Sequence, residues 1–282
     1  MKIVERAAEL RPLITGFRNQ GLSCGFVPTM GNLHAGHLAL VDAAVAACDK
    51  VIVSIFVNPL QFGPGEDLDA YPTTPDDDEI ALIDHGASIL YRPTVKDVYP
   101  VGLASQTRVV VPGLSERLEG MSRPGHMNGV STVVNRLFNQ VCAHKAFFGK
   151  KDYQQYRLIK KMVSDLAMDT EIIGIETVRL ASGLAMSSRN NYLSAGELGQ
   201  AAGLYSVIQE VAAQYSNETT DKAVTEAIAR LKNMGFVPDY IAVRRQSDLD
   251  VPHAGDEKLV VLAAAWLGKT RLIDNLEFTL QV

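Results

Sequence analysis

Apolar residues recur along this chain in two rhythms, and the switching between them is the first sign of its architecture. Over residues 4–19, Leu10, Leu13, Ile14 and Phe17 share one side at helical spacing, which predicts an amphipathic helix. Cys24-Gly25-Phe26-Val27 is a short apolar run, which predicts a strand closed by Pro28. Helical spacing returns with Leu38, Leu40, Val41, Ala44, Val45 and Cys48, so a helix is expected from about Gly36. Lys50-Val51-Ile52-Val53-Ser54-Ile55-Phe56-Val57 is β-branched, as in a strand buried on both faces of a parallel sheet. A helix ending at His85-Gly86 and a strand at Ile89-Leu90-Tyr91 follow. Residues 92–125 are richer in Pro and Gly; they predict a long covering loop with one strand, Arg108-Val109-Val110-Val111. A helix from about Asn128 to Cys142, a strand at Lys145-Ala146-Phe147-Phe148, a helix to Ala167 and a strand at Glu171-Ile172-Ile173-Gly174-Ile175 complete a βαβαβ alternation. That order implies a parallel sheet with right-handed crossovers.

The pattern then changes. Residues 179–191 are polar and hold Gly and Ser. Beyond them the periodicity predicts a helix at about 195–214, a polar gap at Ser216-Asn217, a helix ending at Gly235, and strands near 239–244, 258–265 and 276–281. This is a smaller α+β unit, and the boundary is expected near residue 185, giving domains 1–184 and 185–282. A chain of 282 residues, 47% hydrophobic and 21% charged, suits that division. Its net charge of −5 argues against a general nucleic-acid binder. The longest apolar run, residues 259–267, falls far short of the ~20 residues that span a bilayer. Met1-Lys2-Ile3-Val4-Glu5-Arg6 carries acid and base where a signal peptide needs an apolar stretch, so a cytoplasmic protein without a membrane partner is expected. Cys24, Cys48 and Cys142 fit no zinc spacing and are expected to be reduced, buried thiols.

Candidate chemistry centres on Pro28-Thr29-Met30-Gly31-Asn32-Leu33-His34-Ala35-Gly36-His37. Two histidines three apart share one face of a strand-to-helix turn. The glycines let another group approach the backbone, and the free N–H groups of a helix start attract phosphate. Gly149-Lys150-Lys151-Asp152 is a second corner of this kind. The loop Asn58-Pro59-Leu60-Gln61-Phe62-Gly63 falls at a strand's C-terminal end, where open α/β sheets bind ligands. Thr74-Pro75-Asp76-Asp77-Asp78-Glu79 invites a metal reading, but Thr, Pro and acids also suit a helix start, and that reading is preferred. These residues alone describe an α/β enzyme that binds a polyphosphate.

Five stretches in order add a resemblance: residues 30–37; Val53-Ser54-Ile55-Phe56-Val57-Asn58-Pro59-Leu60-Gln61-Phe62; Leu118-Glu119-Gly120 with Arg123-Pro124-Gly125-His126; Phe148-Gly149-Lys150-Lys151-Asp152-Tyr153-Gln154-Gln155; and Met186-Ser187-Ser188-Arg189-Asn190. The first is similar to the HxGH signature of adenylyl-transferring α/β enzymes, and the set resembles the pantoate–β-alanine ligase family. The resemblance implies a Rossmann-like parallel sheet of the HxGH nucleotidylyl transferase type with a smaller C-terminal α+β lid. It implies ATP-dependent joining of pantoate to β-alanine through a pantoyl adenylate. By the same resemblance Met30, Gly31, Asn32, Leu33, His34, Ala35, Gly36 and His37 bind ATP, with His37 the proton donor and His34 its partner on the phosphates. Lys151, Arg189, Ser187 and Ser188 would stabilise phosphate charge. Gly149, Lys150, Lys151, Asp152, Val178 and Met186 would hold the nucleotide, with Asp152 near the ribose or magnesium. Gln61 and Gln155 would bind pantoate, and Gln61 β-alanine as well. Mg²⁺ is expected with ATP, no dedicated protein metal site is expected, and a homodimer is expected. Lys150 departs from the family, which usually has an acid there; its long stem is expected to carry the ammonium to solvent. Two rivals stay open: another nucleotidylyl transferase of the same fold, and a non-catalytic nucleotide-binding relative.

Overall fold

The structure, a computed structural model, describes residues 1–216 and 220–280. The chain packs as two units, Met1–Lys150 with Gln155–Glu176, and Lys151–Gln154 with Thr177–Val282. The division after Glu176 comes ahead of the boundary expected near residue 185.

The first unit runs β1 (Lys2–Val4), α1 (Ala7–Asn19), β2 (Cys24–Thr29), α2 (Ala35–Ala47), β3 (Lys50–Ile55), α3 (Pro75–Asp84), β4 (Ile89–Tyr91), α4 (Val95–Val98), α5 (Glu119–Ser122), α6 (His126–Val141), β5 (Lys145–Gly149), α7 (Tyr153–Asp165) and β6 (Glu171–Ile175). Its six strands are all parallel, in the order β1-β4-β3-β2-β5-β6. That is the expected Rossmann-like sheet. Parallel strands need helical covers on their faces, and Val27, Val51, Val53 and Leu90 are accordingly buried with Leu40, Val41 and Ala44 of α2.

Several boundaries differ from the sequence reading. The first helix starts at Ala7, because Lys2–Val4 pairs with β4 as an edge strand. Pro28 lies inside β2, opposite Ser54 of β3. The strand tolerates it because β5 pairs with β2 only at Gly25 and Phe26, so the missing N–H falls beyond that ladder. Residues 108–111 are irregular. The side chains of α6 hold them instead of a sheet: Val109 N donates to Thr132 Oγ1 at 3.0 Å, and Ser131 Oγ donates to Val109 O at 2.5 Å. Cys142 is exposed at the end of α6, where it adopts a left-handed conformation, so only Cys24 is fully buried; all three thiols are free.

In the second unit, α8 (Ala195–Ala201), α9 (Gly203–Ala213) and α10 (Thr220–Asn233) precede β7 (Phe236–Arg245), β8 (Lys258–Leu267) and β9 (Thr270–Thr279), an antiparallel sheet in the order β7-β8-β9. The single helix expected at 195–214 is broken at Ala202. The last strand starts at Thr270 because it forms a tight hairpin with β8, Leu267 opposite Thr270. Leu204, Val207, Ile208 and Val211 of α9 pack on alternate β8 residues Leu259, Val261, Ala263 and Ala265. Asn217 of the expected polar gap and Gln281 of the expected last strand lie outside the described residues. Among the described residues no helix is long and apolar enough to cross a membrane.

Candidate active site

β3, β2 and β5 are neighbours running in one direction, so their C-terminal ends present three turns along one edge of the sheet. The turn after β2 leads to His34 and, in the first turn of α2, His37; the turn after β3 carries Gln61; and β5 ends at Gly149, with Lys150 next in the chain.

The β2 turn needs left-handed backbone at two successive residues, Gly31 (φ 84°) and Asn32 (φ 50°), residue types that reach this region at low cost. His34 then caps α2: its Nδ1 accepts from Gly36 N at 3.1 Å. His37 Nδ1 accepts from His34 N at 3.4 Å, and the two rings stack at 4.0 Å between centroids. Each Nδ1 is thereby an acceptor, so in the neutral ring the proton sits on Nε2. Two backbone contacts thus select the tautomer that offers an Nε2–H donor from both histidines.

Gln61 is fixed more elaborately. Asn58 Oδ1 accepts from Tyr99 Oη (2.8 Å) and Leu60 N (3.3 Å), while its Nδ2 donates to Gly129 O (3.2 Å) and Gln61 Oε1 (3.1 Å). Burial pushes the Tyr99 pKa upward, which keeps its hydroxyl a donor. This sets the Gln61 amide with its oxygen on Asn58 and its nitrogen 3.0 Å from Met30 Sδ. Gly129 permits the approach, since a Cβ there would stand 2.2 Å from Leu60 O. Behind the loop, His126 Nδ1 donates to Gln61 O at 2.7 Å, and Arg123 Nη1 donates to His126 Nε2 at 3.0 Å. Arg123 also grips Glu66 with two bonds, at 2.8 and 2.6 Å. Burial, with the Arg123 charge adding, lowers the His126 pKa to about 4, so the ring is neutral.

The structure therefore brings together Met30, His34, His37 and Gln61. Gln155 is half-buried in the first turn of α7, at the C-terminal side of β5. Lys150 does not reach into solvent as expected. Gly149 pairs with Ile175, so the next residues along the two strands meet, and Lys150 Nζ lies 2.5 Å from Glu176 Oε1.

In the second unit Asn275 Nδ2 donates to Lys151 O at 2.9 Å, and Lys151 Nζ lies 3.5 Å from Asp152 Oδ1. Met186 N donates to Val178 O at 2.9 Å. Ser187 Oγ accepts from Arg189 N at 3.3 Å, which starts the helical turn that carries Ser188 and Arg189. Arg179, bound to Asp274 at 2.7 and 2.8 Å, secures the start of this segment.

Sequence reasoning gave no role to Asn58, Tyr99, Arg123 or His126, and read Asp78 only as a helix-start acid. Arg123 and His126 stood within a recognised stretch, and Asn58 three residues before Gln61, but nothing in the sequence shows which groups they face.

A family model described as pantoate-beta-alanine ligase matches residues 2–277. The chain is 53% identical over 272 residues to the pantothenate synthetase of Shewanella amazonensis, covering 96% of this chain and 97% of that one. It is 52% identical over 281 residues to the pantothenate synthetase of Idiomarina loihiensis, covering 99% and 98%. The crystal structure of pantothenate synthetase from Thermus thermophilus superposes with a TM-score of 0.85 at 40% identity, covering 98% and 99%. That of the Francisella tularensis pantoate-beta-alanine ligase, complexed with beta-gamma ATP and beta-alanine, does so with a TM-score of 0.81 at 34% identity, covering 98% and 97%. Sequence identity over nearly the full length, a shared fold and the matched family model converge: the chain belongs to the pantoate–β-alanine ligase family.

Proposed function

We propose that the residues described above carry the family's ATP-dependent condensation of pantoate with β-alanine in two steps. In the first, a pantoate carboxylate oxygen attacks the α-phosphorus of ATP, the bond to the β-phosphate oxygen breaks, and pantoyl adenylate and pyrophosphate form. In the second, the β-alanine amine attacks the acyl carbon; the bond to AMP breaks, the amine gives up a proton, and the amide results. Neither step needs a covalent link to the protein, so positioning and charge stabilisation are its contribution.

The observation that carries this reading is the pair of backbone N–H groups on Nδ1 of His34 and of His37 at the start of α2, which puts the proton of each neutral ring on Nε2. Such donors meet phosphate oxygens as negative charge grows on them, and the His37 Nε2–H stabilises the departing pyrophosphate by hydrogen bonding rather than by giving up its proton. Lys151 and Arg189 add fixed positive charge, Ser187 and Ser188 add hydroxyls, and Gly149, Lys150, Asp152, Val178 and Met186 hold the nucleotide. Gln61 offers its NH₂ to pantoate oxygens and serves β-alanine after the first step; Gln155 binds the other side of pantoate. The related Francisella tularensis structure is complexed with beta-gamma ATP and beta-alanine, which supports the use of both substrates by this chain. Among the described residues no cluster of three or more His, Cys, Asp and Glu forms a metal cage, and magnesium ordinarily keeps few protein ligands beside phosphate oxygens. Mg²⁺ fits as the companion of ATP, with the Asp152 carboxylate a suitable oxygen ligand; it neutralises phosphate charge. We place the enzyme in the cytoplasm as a homodimer built on the larger unit, with residues 185–282 closing over ATP.

The test is isotope exchange. Labelled pyrophosphate should enter ATP when pantoate is present and β-alanine is absent; exchange that appears only after β-alanine is added would refute the adenylate.

A further inference from the structure

The acidic run at the start of α3 is used in a way its sequence does not suggest. Asp76 and Asp77 are exposed, as first-turn acids usually are, whereas Asp78 is 2% exposed. Its carboxylate reaches back to the β2 turn. Oδ2 accepts from Asn32 N at 2.9 Å, and Oδ1 accepts from Leu33 N at 2.7 Å and from Thr74 Oγ1 at 3.0 Å. Thr74 stands at the N-cap position but makes no capping bond; its hydroxyl serves Asp78 instead. Successive N–H groups that converge after left-handed backbone form a concave anion site, the kind that loops elsewhere offer to phosphate. Here the protein fills it with its own anion. The fit leaves no room on the other side: a Cβ on Gly31 would lie 3.0 Å from both Asp78 Oδ2 and Ile55 Cγ2.

We infer that Asp78 is a positioning residue for the nucleotide corner, an internal anion that occupies the amides of Asn32 and Leu33 and leaves the polyphosphate to the residues that follow. The inference rests on the reading of residues 30–37 as the ATP corner and narrows it. A buried carboxylate must be matched by donors, and three meet it. While those donors are engaged, a phosphate oxygen cannot displace them without stranding the carboxylate, and the two anions repel. The polyphosphate therefore meets the start of α2 and the two imidazoles. Asp78 sets their aim, because the left-handed turn it closes leads directly into the His34 cap.

Backbone amide exchange at single-residue resolution tests this on the wild-type chain. In the free enzyme Asn32 and Leu33 should exchange slowly, and saturating MgATP without pantoate should change them less than about twofold while slowing residues 35–37. Slowing of Asn32 and Leu33 by about tenfold on ATP binding overturns the inference and leaves the ATP reading intact. Absence of any ATP effect removes both. Kinetics give a second arm. Asp78→Asn keeps the shape but turns one acceptor into a donor facing an N–H; it should raise the KM for ATP by about tenfold or more and leave the KM for pantoate within about threefold. Thr74→Val removes only the hydroxyl contact and should stay within about threefold of wild type throughout. An unchanged KM for ATP in Asp78→Asn, or an equal rise for every substrate in step with lost thermal stability, assigns the residue a merely structural role. If Asp78→Asn does not fold, the exchange experiment decides alone.

Discussion

Acid should unfold this enzyme partly through one imidazole. His126 donates to the carbonyl of Gln61 and accepts from Arg123, an arrangement only the neutral ring can make. Its pKa falls from an ordinary 6.5 to about 4 on folding, through burial first and the Arg123 charge second. Because the folded value is the lower one, the unfolded chain takes up the proton first. Stability is intact above about pH 6.5 and lost as the pH falls towards 4. Between pH 7 and pH 5 this one group should remove roughly 2 kcal/mol, and by pH 4 about 3 kcal/mol, most of the gap between the two values. Carboxylates titrate over part of that range, so the measurement is a difference. Urea unfolding of wild type and His126→Gln at pH 7, 6 and 5 isolates the term. The amide can still donate to Gln61 O but does not titrate. At pH 7 the variant should be less stable by about 1 kcal/mol, the order of one imperfect hydrogen bond. By pH 5 it should match or exceed wild type. A gap that stays constant with pH would show that His126 is protonated alike in both states and would refute the neutral-ring account.

Two further outcomes follow from close approaches. Gly129→Ala places a Cβ within 2.7 Å of Leu60 O, Leu60 C and Gln61 Cα, all backbone. It should cost about 1–3 kcal/mol in urea unfolding and raise the KM for pantoate, since the loop that moves carries Gln61; a fully stable, fully active variant would show that the loop gives way freely. Lys150→Glu sets two carboxylates side by side in place of the pair with Glu176, which is 81% exposed, so the loss should be near 1 kcal/mol and shrink in high salt. Adding Glu176→Lys should recover it, and failure of that swap would mean that Lys150 acts through another group.

Elements whose own composition decides them were legible in the sequence. Ile89–Tyr91 and Glu171–Ile175 form strands at the expected residues, because β-branched and aromatic runs between turn residues have few other solutions. Lys2–Val4 was missed: three residues make no pattern, and only pairing with β4 makes them a strand. The error at residues 108–111 has the opposite cause. Three consecutive valines favour extended backbone, but Ser131 and Thr132 satisfy that backbone from a helix face, so extension does not become a sheet. The site divides the same way. The HxGH turn announces itself through spacing. The roles of Asp78 and Arg123 depend on groups 45 and 57 residues away, which no local pattern encodes.

Those distant partners explain how the site can be both rigid and receptive. The Gln61 amide oxygen is fixed by Asn58, whose own four hydrogen-bonding contacts leave it no freedom to flip. The Asn32 and Leu33 amides are taken by Asp78, and the Gln61 carbonyl by His126. These bonds join strong donors to strong acceptors within the protein, and a substrate would gain little by breaking them. The contact between Gln61 Nε2 and Met30 Sδ is different, because a thioether is a weak acceptor. A carboxylate or hydroxyl oxygen that replaces the sulfur improves the bond without stranding a polar group, since sulfur loses little when it is left alone. In the two histidines Nδ1 accepts from the backbone, which places the proton of the neutral ring on Nε2. Binding can then draw on groups whose protein contacts are weak while the strongly paired groups hold the geometry, which is what a reaction driven by positioning requires.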